Sequence, residues 1–219
     1  MSRIAITLGI ALLSFAGCRD QNNQTYAVQA EERSLKPIVA IVPVIDRTIN
    51  NISWSLSEEM TAAIHERLAN RGSIYLVDNK KVENNVKKMA GNNPFGANIS
   101  WAKKAFRDNE FVVFLELLEH EEVAQNKNPS AIVEKCSAEL NTSVRVRVLD
   151  LRTPEPKIVL QELIHDVHFI PRQFTQSNFH QIAWGQAGYE TSPLGIAHEE
   201  LTKEISLRLE DYIIHAMNR

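Results

Sequence analysis

The apolar residues of the chain fall into three patterns, and each predicts a kind of element. The unbroken run Ile38-Val39-Ala40-Ile41-Val42-Pro43-Val44 predicts a strand covered on both faces, as does the run from Phe111 to Leu118. Further on, Leu140, Thr142, Val144, Val146 and Val148 alternate with Asn141, Ser143, Arg145 and Arg147. That period of two predicts a strand with one face on the core and one toward water. A spacing of four marks helices. Leu56, Met60, Ile64 and Leu68 form one stripe, with Ser55 and Glu58 as a capping box and Gly72 as the stop. A last helix starts at Pro193 and carries Leu201, Ile205, Leu209 and Ile213.

Shorter elements fill the gaps. Ile74 to Val77 predicts a strand, and Asp78 caps a helix carrying Val82, Val86 and Met89 up to Gly91. Ser100 to Asp108 predicts a short helix, and the turn at Thr153-Pro154-Glu155-Pro156 folds residues 157–170 back as a hairpin strand. The polar stretch Glu119 to Ser130 reads as a loop or hairpin crossing, and Pro171 to Ser192 as a long loop. The resulting order is β-α-β-α-α-β-β-β-β-α. It predicts an α/β (α+β) domain over residues 37–219, a single mixed β-sheet packed with helices.

Ahead of this domain the pattern changes twice. Arg3 and the apolar run Ile4 to Leu13 have the form of a signal peptide and are too short to span a bilayer, which takes about 20 apolar residues. Ser14-Phe15-Ala16-Gly17-Cys18 then sets small residues before a cysteine, and resembles the lipobox of bacterial lipoproteins. The resemblance implies cleavage after residue 17 and a diacylglycerol thioether on Cys18, with Phe15 standing where leucine is usual. The alternative is a secretory signal followed by an unrelated cysteine. Residues 18–36 read as a lipid-anchored tether, able to reach about 60 Å at full extension. The outer membrane is the default destination, and Asp20 near the sorting position keeps inner-membrane retention open. The one other cysteine, Cys136, reads as a small buried apolar side chain.

Composition narrows the function classes. With 44% hydrophobic and 23% charged residues the chain can build a core, and a net charge of −3 gives no reason to expect nucleic acid. His165 and His168 lie three apart on a strand and so on opposite faces, which predicts no metal site. Arg145, Arg147 and Arg152 read as a basic stripe, with a solvated sheet face accounting for the first two and anion binding as the alternative, and Glu116, Glu119, Glu121 and Glu122 with His120 as a solvated acidic segment. No phosphate-binding loop, nucleophile elbow or zinc helix motif occurs, so neither catalytic residues nor a cofactor or small-molecule substrate are expected. The candidate contact residues are Phe174, Phe179 and Trp184, aromatic anchors in a Gly/Gln/Asn-rich loop that serves either as a partner surface or as a lid over the sheet.

The run 38–48, the helix end Arg67-Leu68-Ala69-Asn70-Arg71-Gly72, the strand Ile74-Tyr75-Leu76-Val77-Asp78, Ala102-Lys103-Lys104-Ala105 and Ser143 to Asp150 together resemble a periplasmic domain family. Its members include the curli secretion channel lipoprotein, lipoprotein activators of penicillin-binding proteins and the N-terminal domain of the Tol translocation protein. The resemblance spans about residues 37–215. It implies a membrane-anchored accessory or assembly module that binds other envelope proteins and is not an enzyme. The alternatives are an oligomeric secretion-channel subunit or a hydrolytic envelope enzyme. The channel's alternating membrane hairpins have no counterpart in Asn92–Ile99 or Pro171–Ser192.

Overall fold

In the computed structural model, which describes residues 36–89, 91–124, 138–171 and 182–218, Pro43 breaks the first apolar run in two. Ahead of it lies β1 (Ile38–Ile41) and after it β2 (Ile45–Asp46). Proline has no N–H to give a ladder. The next amide, Val44 N, turns to Thr61 Oγ1 at 2.9 Å. β3 (Tyr75–Leu76) and β4 (Phe111–Ala124) flank β1, both parallel to it, while β2 follows the same edge of β4 further along. β4, β5 (Ala138–Asp150) and β6 (Lys157–Ile170) form an antiparallel meander. The sheet order is β3-β1-β4-β5-β6, with β2 beside β4.

The α+β class and single mixed sheet hold, with two departures in detail. The sixth strand is the early β2 rather than a fourth strand among the late ones, because Pro43 splits what reads as one run. Glu119 to Ala124, expected in a loop, belong to β4. A bulge at Leu118 keeps β4 in register with β5 as far as Ala124 opposite Ala138.

Helices cover the two faces unequally. On one face lie α1 (Leu56–Arg71) and the long α4 (Pro193–Met217). Their stripes Leu56, Met60, Ile64, Leu68 and Leu201, Ile205, Leu209, Ile213 bury Val39, Ile41, Phe111, Val113, Leu115 and Leu117 together with Val144, Val146 and Val148. On the other face α2 (Asn79–Lys88) and α3 (Trp101–Ala105) cover only the β1 side, packing Val82, Ala102, Ala105 and Phe106 on Ala40, Val42, Val112, Phe114 and Leu149. Phe111 to Leu115 are therefore covered from both sides and unbroken in hydrophobicity, while β5 alternates.

Caps follow the sequence signals. Ser55 Oγ accepts from Glu58 N at 3.2 Å, and Gly72 closes α1 at φ 69°, a conformation that favours glycine. The arginines of β5 serve the fold rather than a solvated stripe. Buried Arg147 donates to the carbonyls of Pro94, Phe95 and Gly96 at 2.8, 3.1 and 2.7 Å and so pins the loop that carries them. Arg145 and Arg47 both hold Glu116, and Arg152 ties Asp150 to the Ala216 carbonyl at the end of α4. Burial raises the Glu116 carboxyl, and the two guanidinium groups outweigh it and hold it below its ordinary range.

Phe114 packs edge-on against Phe106 and tilted against Trp101, at ring separations of 5.9 and 5.8 Å, with no exposure. Phe114→Ala is expected to lower unfolding stability by about 3–5 kcal/mol in urea titration. Ile49→Ala, at a fully exposed position ahead of α1, is expected to change it by less than about 1 kcal/mol.

Candidate functional site

A carboxylate and an imidazole sit within the buried stripes of the long helices. Glu59 lies three residues after Leu56 on α1, and His198 three before Leu201 on α4. Both turn to the core face, and each is only 3% exposed. An isolated carboxylate there would cost several kcal/mol, so its partners decide whether the helices can pack.

Three segments supply them, and a fourth, β4, extends the network. Trp54, in the loop before α1, donates Nε1–H to Glu59 Oε2 at 2.6 Å. Tyr189, in a 3-10 helix (Tyr189–Thr191), donates its hydroxyl to Glu59 Oε1, and its ring meets Trp54 edge-on at 5.6 Å. His198 Nδ1 donates to Glu59 Oε1 at 2.8 Å and lies 2.9 Å from the Tyr189 hydroxyl. From β4, His120 sets its Nε2 2.9 Å from Nε2 of His198. Every group is satisfied when the facing Nε2 atoms of His120 and His198 hold one proton between them and His198, Tyr189 and Trp54 donate to an ionised Glu59.

The environment fixes these charge states. Burial raises the Glu59 carboxyl, but the hydrogen bonds from His198, Tyr189 and Trp54, with the charge of His198, outweigh it and hold the group below its ordinary range. The Tyr189 hydroxyl is pushed up, by burial and then by the carboxylate it serves. His120 is pushed down to about 4, first by burial and then by His198.

Above the network opens a cleft of about 710 Å³ between α1, α4 and the segment ahead of the 3-10 helix. Glu59, Tyr189 and His198 reach its floor, while Glu66, Arg67 and Glu199 line its walls. Arg67 and Glu199 join across it at 3.1 Å. Trp184, 40% exposed, stands at the rim. The segment is held tightly against α4. Ser192 caps that helix by accepting from Gly195 N at 3.0 Å, and a Cβ at Gly195 would lie 2.0 Å from the Tyr189 carbonyl. Only glycine allows this approach.

Of the expected contact residues, Trp184 is at this rim, and Phe174 and Phe179 lie outside the described residues, as does Cys18. His165 and His168 do face opposite sides of β6. His165 Nδ1 is 2.9 Å from Ser143 Oγ, and His168 Nδ1 is 3.3 Å from Glu200 on α4. Among the described residues no group of three or more His, Cys, Asp or Glu side chains is placed to hold a metal ion, and no helix is long and apolar enough to cross a membrane. The network itself was missed by sequence reasoning. Its signal was a carboxylate and a histidine inside otherwise apolar helical stripes.

Residues 25–217 match one family model, and the chain belongs to that family of unknown function, DUF7499. No curated protein matches it. A solved hypothetical protein from Chlamydia trachomatis shares the fold at 24% identity and a TM-score of 0.64, over 81% of this chain and 98% of that one. A lipoprotein from Neisseria meningitidis is similar at 12% identity and a TM-score of 0.38, over 66% of this chain and 90% of that one. The C-terminal domain of LpoB from Salmonella enterica is similar at 15% identity and a TM-score of 0.35, over 68% and 98%.

The network makes stability depend on acid in a stated direction. An unfolded histidine takes up a proton near its ordinary value of 6.5, whereas folded His120 does so only near 4. Between these values the unfolded chain binds more protons, so stability falls as pH is lowered through that window. Glu59, held below 4.5 when folded, extends the loss further down. The melting temperature is expected to drop from pH 7 to pH 4. In His120→Gln, which keeps an N–H donor toward His198, the slope between pH 6.5 and 4 is expected to be shallower, and equal slopes would remove His120 from this account.

Proposed function

We propose that this member of the DUF7499 family is a bacterial envelope lipoprotein, anchored through a lipid on Cys18, whose domain is a protein-interaction or assembly accessory module. In this reading residues 1–17 are the signal, 18–36 the tether and 37–219 the working domain. The outer membrane is the proposed destination. The apolar run, the small residues before Cys18 and the polar stretch after it support the anchor. What carries the interaction role is Trp184, a large aromatic left half-exposed at the rim of a cleft, on a segment locked from beneath by Tyr189. An exposed aromatic on a rigid support contributes contact area with little ordering cost, which is how interface anchors work.

A catalytic role is not part of the proposal. The polar groups at the floor of the cleft already serve one another: Glu59 accepts three donors, and both nitrogens of His198 are engaged. A free general base or nucleophile would need an open valence toward the cleft.

Two experiments test this reading. Cells grown with labelled palmitate are expected to label the native protein and not Cys18→Ala, and equal labelling would overturn the anchor. Crosslinking in intact cells is expected to capture envelope proteins. Trp184→Ala, combined with Phe174→Ala and Phe179→Ala, is expected to reduce that capture about tenfold or more. Unchanged capture by a folded triple variant would move the contact surface elsewhere.

A further inference from the structure

β6 closes the sheet order on one side. It runs for 14 residues, pairs with β5 from Lys157 to Ile170, and among the described residues has no strand on its other edge. Long open edges are usually blunted by charge, proline or a bulge, because their free N–H and C=O groups accept another strand. The row of β6 facing away from α1 and α4 lacks that protection. From Gln161 to Phe169 it reads Gln161, Leu163, His165, Val167, Phe169, with no acid, lysine or arginine. Leu163, Val167 and Phe169 are 59, 48 and 57% exposed. Their neighbours across the ladder on β5 are Arg145, Asn141 and Glu139, so the apolar side chains have no apolar row beside them within the sheet. Among the described residues nothing lies beyond the edge to cover them from the side.

We infer that β6 is the contact strand of a symmetric dimer, in which a second copy of this chain pairs its own β6 antiparallel across a twofold axis at His165. The strand is self-complementary in that register. On the exposed row Leu163 meets Val167 of the second copy and Val167 meets its Leu163, which covers both. On the helix-facing row Glu162 meets His168, again twice over. Each copy already holds these groups in oppositely ordered pairs, Arg208 with Glu162 and Glu200 with His168. The contact therefore sets Glu162, held by Arg208, against the imidazole of His168, held by Glu200, so that hydrogen-bonding groups meet across it in matched order. Ile164 faces Asp166, whose carboxyl is already pushed up by burial and then by Glu200, toward the neutral form that such a neighbour favours.

Neighbouring registers are poorer, since a twofold at Ile164 sets Glu162 against Asp166 and one at Asp166 sets that side chain against its own copy. A twofold at Leu163 sets Leu160 and Ile158 against Asp166 and His168, and one at Val167 pairs only residues 164–170. Both faces keep their sense in the His165 register, so the helices of the two copies lie on one side of a continuous sheet. The contact is isologous and closes at two copies.

The register gives the test its sharpness. In an antiparallel ladder, facing Cα atoms lie about 4.5–5.5 Å apart, within the reach of a disulfide. In a Cys18→Ser, Cys136→Ser background of the full chain in mild detergent, mild oxidation is expected to give a disulfide dimer from His165→Cys alone. Val167→Cys alone is expected to stay monomeric on a denaturing gel, whereas a mixture of Leu163→Cys and Val167→Cys crosslinks. Sedimentation of the full chain is expected to show dimers, and Leu163→Lys with Val167→Lys is expected to convert them to folded monomers with unchanged circular dichroism. A full chain that sediments as a monomer at every concentration, or one that crosslinks equally at all three positions, overturns the proposal. The monomer outcome would leave the edge to a strand from a different protein.

Discussion

The fold depends on keeping one carboxylate dry. Glu59 sits on the core face of α1, and α1 and α4 can close over the sheet only if that charge finds donors inside. It finds three, each from a different segment: Trp54 before α1, Tyr189 after the long connection, and His198 on α4. His120 extends the tie to β4 through His198. One buried group thereby sets how the two long helices, the segment between β6 and α4, and the sheet stand relative to one another. Removing any donor leaves the others in place around an under-served charge, which is costlier than losing one hydrogen bond.

This arrangement explains how an aromatic rim can be both exposed and rigid. The segment 182–191 has no strand or long helix of its own, and beyond its own turns it is held by Tyr189 below and by the Ser192 cap beside it. Trp184 stands on that support. The other face of the sheet is built differently, with small helices over the β1 side and the Arg147 clamp on residues 94–96, after which no described helix covers it. The protein thus presents two unlike surfaces, a polar cleft with an aromatic rim and an open strand edge with an apolar row.

Much of the architecture was legible in the sequence because it follows from period and caps. The stripes of α1 and α4, the Ser55 and Gly72 signals, the alternation of β5 and the unbroken run of β4 each report a local burial pattern. What escaped were contacts that period does not encode. The polar residues after Leu118 look like a loop, yet they pair because a bulge preserves the register and one face needs no apolar cover. Arg147 looks solvated by alternation, and is buried because a loop far away in sequence folds onto it. Glu59, His120, Tyr189 and His198 lie far apart along the chain, and no spacing rule joins them. The visible trace was a polar residue in an apolar stripe, which signals burial with a partner without naming the partner.

The Glu59 network locks the Trp184-bearing segment to the helices. Amide hydrogen exchange comparing native protein with Tyr189→Phe measures this directly. Loss of the hydroxyl is expected to speed exchange at residues 182–192 and in the first turn of α4, while the amides of β4 and β5 from Phe111 to Leu115 and Val144 to Val148 keep their protection. Exchange that is unchanged in the segment, or that rises equally across the sheet, would contradict it.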